Sequence, residues 1–125
     1  MSTYYVIQPG LEGPFALTTL NALALPEKPG VYVLSKPGIK GDDLACYVGR
    51  SKSLRDRVPA WVGKRGYTRF YYSTTATENG AFFKECRLFH QYGKATYLDN
   101  VNHPAIPAGS GLPVCGEQGC LGESD

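Results

Sequence analysis

Residues 30–51 read GVYVLSKPGIKGDDLACYVGRS. Two runs within them, 31–34 and 44–49, have the β-branched and aromatic composition of strands. Between them, Pro37-Gly38 and Gly41-Asp42 supply turn chemistry over residues 35–43. Two strands around so short a loop make an antiparallel hairpin. Alternation sends Val31 and Val33 to one face and Tyr32 and Leu34 to the other. Past the hairpin the period changes. Leu54, Val58 and Trp61 recur at i, i+4 and i+7, which predicts a helix with one apolar stripe and Ser53 as its N-cap. Pro59 removes a donor and disfavours helical geometry at Val58, so a kink or an early stop is expected there.

Working outward, residues 67–75 (YTRFYYSTT) read as a third strand. Thr75 to Glu78 matches a capping box that opens a long helix, running to about Tyr92 and closed by Gly93. Upstream, residues 4–7 suit a short strand, and residues 17–25 suit a short helix ended by Pro26. Residues 99–125 carry Pro, Gly and Asn without periodicity. The order β-β-α-β-α predicts an α+β domain: a small antiparallel three-stranded sheet flanked by helices, then an irregular tail.

A chain of 125 residues suits one domain with a core of its own. No apolar run approaches the roughly 18 residues of a membrane span. MSTYYVIQPG lacks the basic and apolar regions of a signal peptide, and four cysteines do not make a disulfide framework. An intracellular, reducing setting, cytoplasmic or nucleoid-associated, is therefore expected. Net charge is only +2, but Arg50, Lys52, Arg55, Arg57, Lys64, Arg65 and Arg69 fall within twenty residues, opposed only by Asp56. Such a stretch is either a solvated face or a surface for a polyanion.

Glu85 is the residue least at home in a plain domain. Ala81, Glu85, Leu88 and Tyr92 share one helix face, and a carboxylate there costs several kcal/mol unless it is paired, binds a metal or reaches water at the stripe's edge. Tyr32 and Tyr47 are either ordinary strand tyrosines or phenols that converge near Arg50. Arg50 and Arg57 are seven apart and are either exposed or placed to grip phosphate oxygens bidentately. In the tail, Cys115 and Cys120 form a C-x4-C pair with His103 upstream. That spacing is permitted for Zn²⁺ but weak without a second pair.

Taken together, these residues resemble the GIY-YIG nuclease family. Gly30-Val31-Tyr32 stands where the family has Gly-Ile-Tyr, and Tyr47-Val48-Gly49 where it has Tyr-Ile-Gly. Arg50, Leu54 and Arg57 match the basic residue, leucine and arginine that follow, and Glu85 matches the glutamate of the central helix. Asn100 and Asn102 are both candidates for the asparagine after that helix. The gap between the tyrosine motifs is longer than usual, by residues assigned to the 35–43 turn, and Pro59 interrupts the arginine's helix. The resemblance divides the chain into an N-terminal extension (1–25), a nuclease-like domain (26–104) and a tail (105–125).

The resemblance implies a metal-dependent endonuclease acting on duplex or branched DNA, alone, as a homodimer or with an accessory protein. Glu85 would hold one Mg²⁺ or Mn²⁺ ion. Tyr32 would activate or orient the attacking water, and Tyr47 would assist. Arg50 and Arg57 would stabilise the phosphate and lower the tyrosine pKa. Lys52, Arg55, Lys64, Arg65 and Arg69 are the candidate backbone contacts. The alternative is a non-cleaving nucleic-acid-binding or adaptor module that keeps the fold.

Overall fold

The computed structural model describes residues 4–7, 9–100 and 104–105. The hairpin forms as its composition predicts. Strands β3 (Gly30–Pro37) and β4 (Asp43–Ser51) pair antiparallel, with Tyr32 opposite Gly49 and Val33 opposite Val48. The third expected strand is β5 (Arg69–Thr74), on the other side of β3.

The sheet has five strands rather than three. β1 (Tyr5–Val6) pairs with β4, and β2 (Glu12–Ala16) pairs with β5, giving the order β1-β4-β3-β5-β2. Both additions are short outer strands with exposed residues throughout. A strand without a buried face has no alternation to read. The N-terminal residues thus complete the sheet at both edges, and Leu17, Ala22 and Leu25 around helix α1 (Thr19–Leu23) join its core.

Helices cover both faces. On one, the long helix α3 (Glu78–Gln91) sets Ala81, Leu88 and Phe89 against Val31, Val33, Ala45 and Val48. On the other, α1 and the short helix α2 (Leu54–Arg57) cover Tyr32, Leu34 and Phe70 with Ala22, Leu54 and Val58. The alternation read from β3 therefore buries both faces.

Two local expectations are corrected. The N-cap of α3 is Thr77, whose hydroxyl accepts from the Gly80 amide, so Glu78 lies at the helix start instead of reaching back to Thr75. Ser53 is the N-cap of α2 but makes no side-chain capping bond. Gly93 ends α3 as expected, with φ +92°. The short helix α4 (Lys94–Tyr97) then leads residues 98–100 back to the sheet.

Candidate active site

The site lies where β4 loses its outer neighbour. Among the described residues β1 pairs with Leu44 and Ala45, and beyond them the edge of β4 has no strand neighbour. The chain after α4 closes part of it. The Asp99 amide donates to the Cys46 carbonyl at 2.6 Å. The Val48 amide donates to Asn100 Oδ1 at 3.0 Å, and Asn100 Nδ2 donates to the Val48 carbonyl at 2.7 Å. An amide side chain thereby satisfies a backbone donor and acceptor that an edge strand would leave bare. Asn100, one of the two candidate asparagines, is thus tied to β4, and Asn102 lies outside the described residues.

Glu85 projects from α3 to this edge. It is buried, and its Oε1 accepts from Arg50 Nη1 at 2.7 Å. The Glu85 side chain keeps 9% of its surface and Arg50 23%, so the pair is largely withdrawn from water. Burial pushes the Glu85 carboxyl above the usual range, against the pull of the Arg50 guanidinium. Glu85 is thus neither snorkelling nor unpaired. The Phe82 ring lies 5.3 Å from the Arg50 guanidinium and holds it from another side.

The tyrosines reach the same edge from the opposite face. Tyr32 is 1% exposed, and its ring stacks on Tyr47 with centroids 6.4 Å apart. Gly49 makes room for it: a Cβ at that position would lie 2.4 Å from both Cζ and the hydroxyl of Tyr32. The glycine of the Tyr-Val-Gly motif is therefore required by the ring across the hairpin. Trp61 Nε1 donates to the Tyr32 hydroxyl at 3.0 Å, and the Arg57 guanidinium is near enough to favour the ionised form of that phenol.

Pro59 accounts for that convergence. It ends α2 at Arg57 and turns residues Val58–Trp61 into a 3-10 helix, with Pro59 in its first turn. Val58 stays in the core, while Arg57 and Trp61 both turn to Tyr32. The interruption aims the arginine instead of misdirecting it.

The expected lowering of the tyrosine pKa is not met. Burial raises Tyr32 above its ordinary value despite Arg57 and Trp61. Tyr47 is pushed up to about 12, first by burial and then by Tyr32 and Glu85, with Arg57 and Arg65 opposing. Both are neutral phenols near pH 7.

Tyr47, Trp61, Arg65, Glu85, Asp99 and Asn100 line a cleft of about 320 Å³. Trp61 and Asp99 belong to the site without having been singled out in the sequence. Asp99 accepts from Tyr4 at 2.6 Å and from Tyr67 at 2.7 Å, one phenol on each oxygen. The other basic candidates scatter. Arg55 pairs with Glu27 at 2.8 Å, and Lys52 lies 4.0 Å from Glu78. Lys64 is exposed in the loop beside Arg65. Arg69 pairs with Asp43 at 3.5 Å, at the other end of β4 from Arg50.

The carboxylate suits a hard divalent cation. Among the described residues, Arg50 is the hydrogen-bond partner of Glu85 and occupies Oε1, leaving Oε2 without one. One carboxylate in a polar cleft fits Mg²⁺, which keeps several waters and takes one or two carboxylates. No group of three or more His, Cys, Asp or Glu side chains among the described residues forms a metal cage. Cys46 and Cys86 are buried free thiols, and the zinc candidates His103, Cys115 and Cys120 lie outside the described residues.

An antiparallel sheet with two tyrosine motifs on its central hairpin, an arginine at the hairpin's end and a glutamate on the covering helix has the α+β fold of the GIY-YIG nucleases. No family model matches the chain. The particular likeness is to UvrC. The chain is 33% identical over 79 residues to UvrABC system protein C of Petrotoga mobilis, covering 53% of this chain and 13% of that protein. It is 46% identical over 58 residues to UvrABC system protein C of Geobacter metallireducens, covering 46% of this chain and 8% of that protein. The matched region is thus a small part of those curated relatives. Among solved structures, the GIY-YIG N-terminal endonuclease domain of UvrC from Thermotoga maritima, bound to its catalytic magnesium, superposes with a TM-score of 0.50 at 23% identity. That match covers 60% of this chain and 89% of the domain, and it establishes the fold. No helix among the described residues is long and apolar enough to cross a membrane.

Proposed function

We propose that this protein is a metal-dependent endonuclease that hydrolyses DNA phosphodiester bonds at the open edge of β4. The observation that carries the proposal is the buried Arg50–Glu85 pair beside a stacked Tyr32–Tyr47 pair, four motif residues from three elements, of which Glu85 and Tyr47 line one cleft. The tyrosines also pack into the core, but the charge pair does not, and a buried charge pair is weak evidence for stability.

Glu85 is the residue that would hold Mg²⁺ or Mn²⁺. When bound, that ion polarises the phosphate and stabilises the leaving oxygen. Arg50 spends one of its five N–H donors on Glu85 and keeps others for a phosphate oxygen. Trp61 donates to the Tyr32 hydroxyl, and the Arg57 guanidinium acts on the same phenol and pulls its pKa down against burial. To take a proton from water, Tyr32 must first ionise, and those two groups favour the ionised form. Tyr32 therefore acts as a base from a minor phenolate population. Tyr47 stays neutral and supplies a hydrogen bond to the phosphate or water. One carboxylate site cuts one strand at a time, so a double-strand break needs a second copy or a second encounter.

The test is plasmid DNA incubated with Mg²⁺ or Mn²⁺, with and without EDTA, beside Glu85→Ala. Nicking that needs the ion and is lost in the variant supports the assignment. Undiminished cleavage by Glu85→Ala refutes it, and DNA bound but never cut under either ion points to the non-cleaving module.

A further inference from the structure

We infer that Arg65 is a second phosphate-gripping arginine beside Arg50, lining the cleft with Glu85 and outside the motif set; this rests on the nuclease reading of the cleft. The other arginines of the basic stretch are all engaged: Arg50 with Glu85, Arg55 with Glu27, Arg57 with Tyr32 and Arg69 with Asp43. Arg65 makes no hydrogen bond or ion pair with any described residue, yet it lines the cleft beside Tyr47, Trp61 and Glu85. The acidic group nearest in kind, Asp99, already has both oxygens occupied by phenols.

The backbone supports the same conclusion. Arg65 has φ +50°, a left-handed conformation that is uncommon for a residue with a side chain. It lies in a tight loop between Gly63 and Gly66, whose φ angles are +78° and +75°. The loop is closed by hydrogen bonds from the Lys64 amide to the Trp61 carbonyl and from the Tyr67 amide to the Lys64 carbonyl. A glycine would hold position 65 with less strain, so the arginine there is retained at a cost in stability. Strain of this kind gathers at binding sites, and what it supplies here is a free guanidinium at the cleft. Because the loop starts directly after Trp61, the turn that delivers Trp61 to Tyr32 also delivers Arg65. The ligand is the pair of non-bridging oxygens of a DNA phosphodiester, bound bidentately.

The experiment compares wild type with Arg65→Gly, Arg65→Lys and, as a charge-matched control on the exposed β3–β4 turn, Lys40→Ala. Cleavage with Mg²⁺ is read as kcat and KM, and metal-free binding of a fluorescein-labelled branched DNA is read by anisotropy over a salt series. Arg65→Gly is expected to melt no lower than wild type, to lose on the order of 100-fold in kcat/KM, and to reduce the salt slope of binding by about 1. Arg65→Lys recovers the slope but only part of the rate, and Lys40→Ala changes neither. Arg65→Gly that cleaves and binds like wild type overturns the inference while leaving the nuclease reading intact. If wild type binds DNA but never cuts it, the nuclease reading fails and the slope alone decides: a loss of about 1 supports the contact, and no change overturns it. If wild type neither binds nor cuts, both fail. If Arg65→Gly melts lower, the strain argument is wrong, and a Lys variant that behaves as wild type in rate and slope overturns the bidentate contact.

Discussion

Replacing Gly49 with alanine would test how tightly the two tyrosine motifs constrain each other. The added Cβ falls 2.4 Å from Cζ and 2.4 Å from the hydroxyl of Tyr32, and 2.8 Å from Cε2. Carbon atoms rest about 3.5–4.0 Å apart, so the ring must retreat by roughly an ångström. It has little room, because it is almost fully buried, stacked on Tyr47 and held by Trp61. A shift of that size takes the 3.0 Å bond from Trp61 out of hydrogen-bonding range. Overpacking costs about 1–3 kcal/mol and the lost hydrogen bond about 1 more. For a chain of this length that lowers Tm by roughly 6–20 °C. A displacement of about 1 Å at the reacting group costs cleavage on the order of 100-fold. Thermal melting and single-turnover DNA cleavage measure the two effects. In a Tyr32→Leu background the obstruction is gone, and Gly49→Ala should add little to the loss of stability. A Gly49→Ala protein that melts within a few degrees of wild type and cleaves at the wild-type rate would refute the packing argument.

Other outcomes follow from the same geometry. Trp61→Phe keeps the ring but removes the donor to Tyr32; kcat should fall about tenfold with KM unchanged, at a cost of about 1 kcal/mol by urea denaturation. Asp99→Ala strands the Tyr4 and Tyr67 hydroxyls and should destabilise by about 2–4 kcal/mol, since hydrogen bonds to a charged acceptor are the stronger kind. Asp99 raises Tyr4 to about 12, and burial first and Asp99 second raise Tyr67. The stability those phenols contribute is full below their unfolded value near 10 and is lost as pH rises through the folded value. An alkaline melting series should therefore show wild type declining across pH 10–12 and Asp99→Ala declining less. Because burial raises Tyr32 above its ordinary value, the phenol is protonated at pH 7 and only a minor population is ionised. The cleavage rate should climb about tenfold per pH unit without a plateau below pH 10, and Tyr32→Phe should abolish that rise; a plateau near neutrality would exclude Tyr32 as the base.

The legible parts of the fold are those with two burial faces or a sustained helical period. Val31 to Leu34 alternate between two cores, and Ala81 to Tyr92 keep one stripe over three turns, so the hairpin and α3 could be read directly. Glu85 stood out because it broke that stripe. β2 was hidden because an exposed edge strand with Gly13-Pro14 inside it carries no pattern. Trp61 was read only as the third rung of a helical stripe; its bond to Tyr32 depends on the 3-10 turn that Pro59 induces. Asp99 owes its place to a phenol 95 residues away, a pairing that no local signal encodes. The dispersal of the basic stretch had the same origin: Glu27 and Asp43, distant in sequence, capture Arg55 and Arg69.

The central claim is that Glu85 is kept in the cleft for chemistry and not for stability. Burial raises its carboxyl, so the ionised group weighs against the fold: its contribution is most favourable below the unfolded carboxylate range and is lost as pH rises through the folded value. The most direct measurement is Glu85→Gln, melted and assayed for Mg²⁺-dependent DNA cleavage on one preparation at pH 7. The account predicts a protein that melts no lower than wild type and does not cut. A variant that melts well below wild type while still cutting DNA would contradict it.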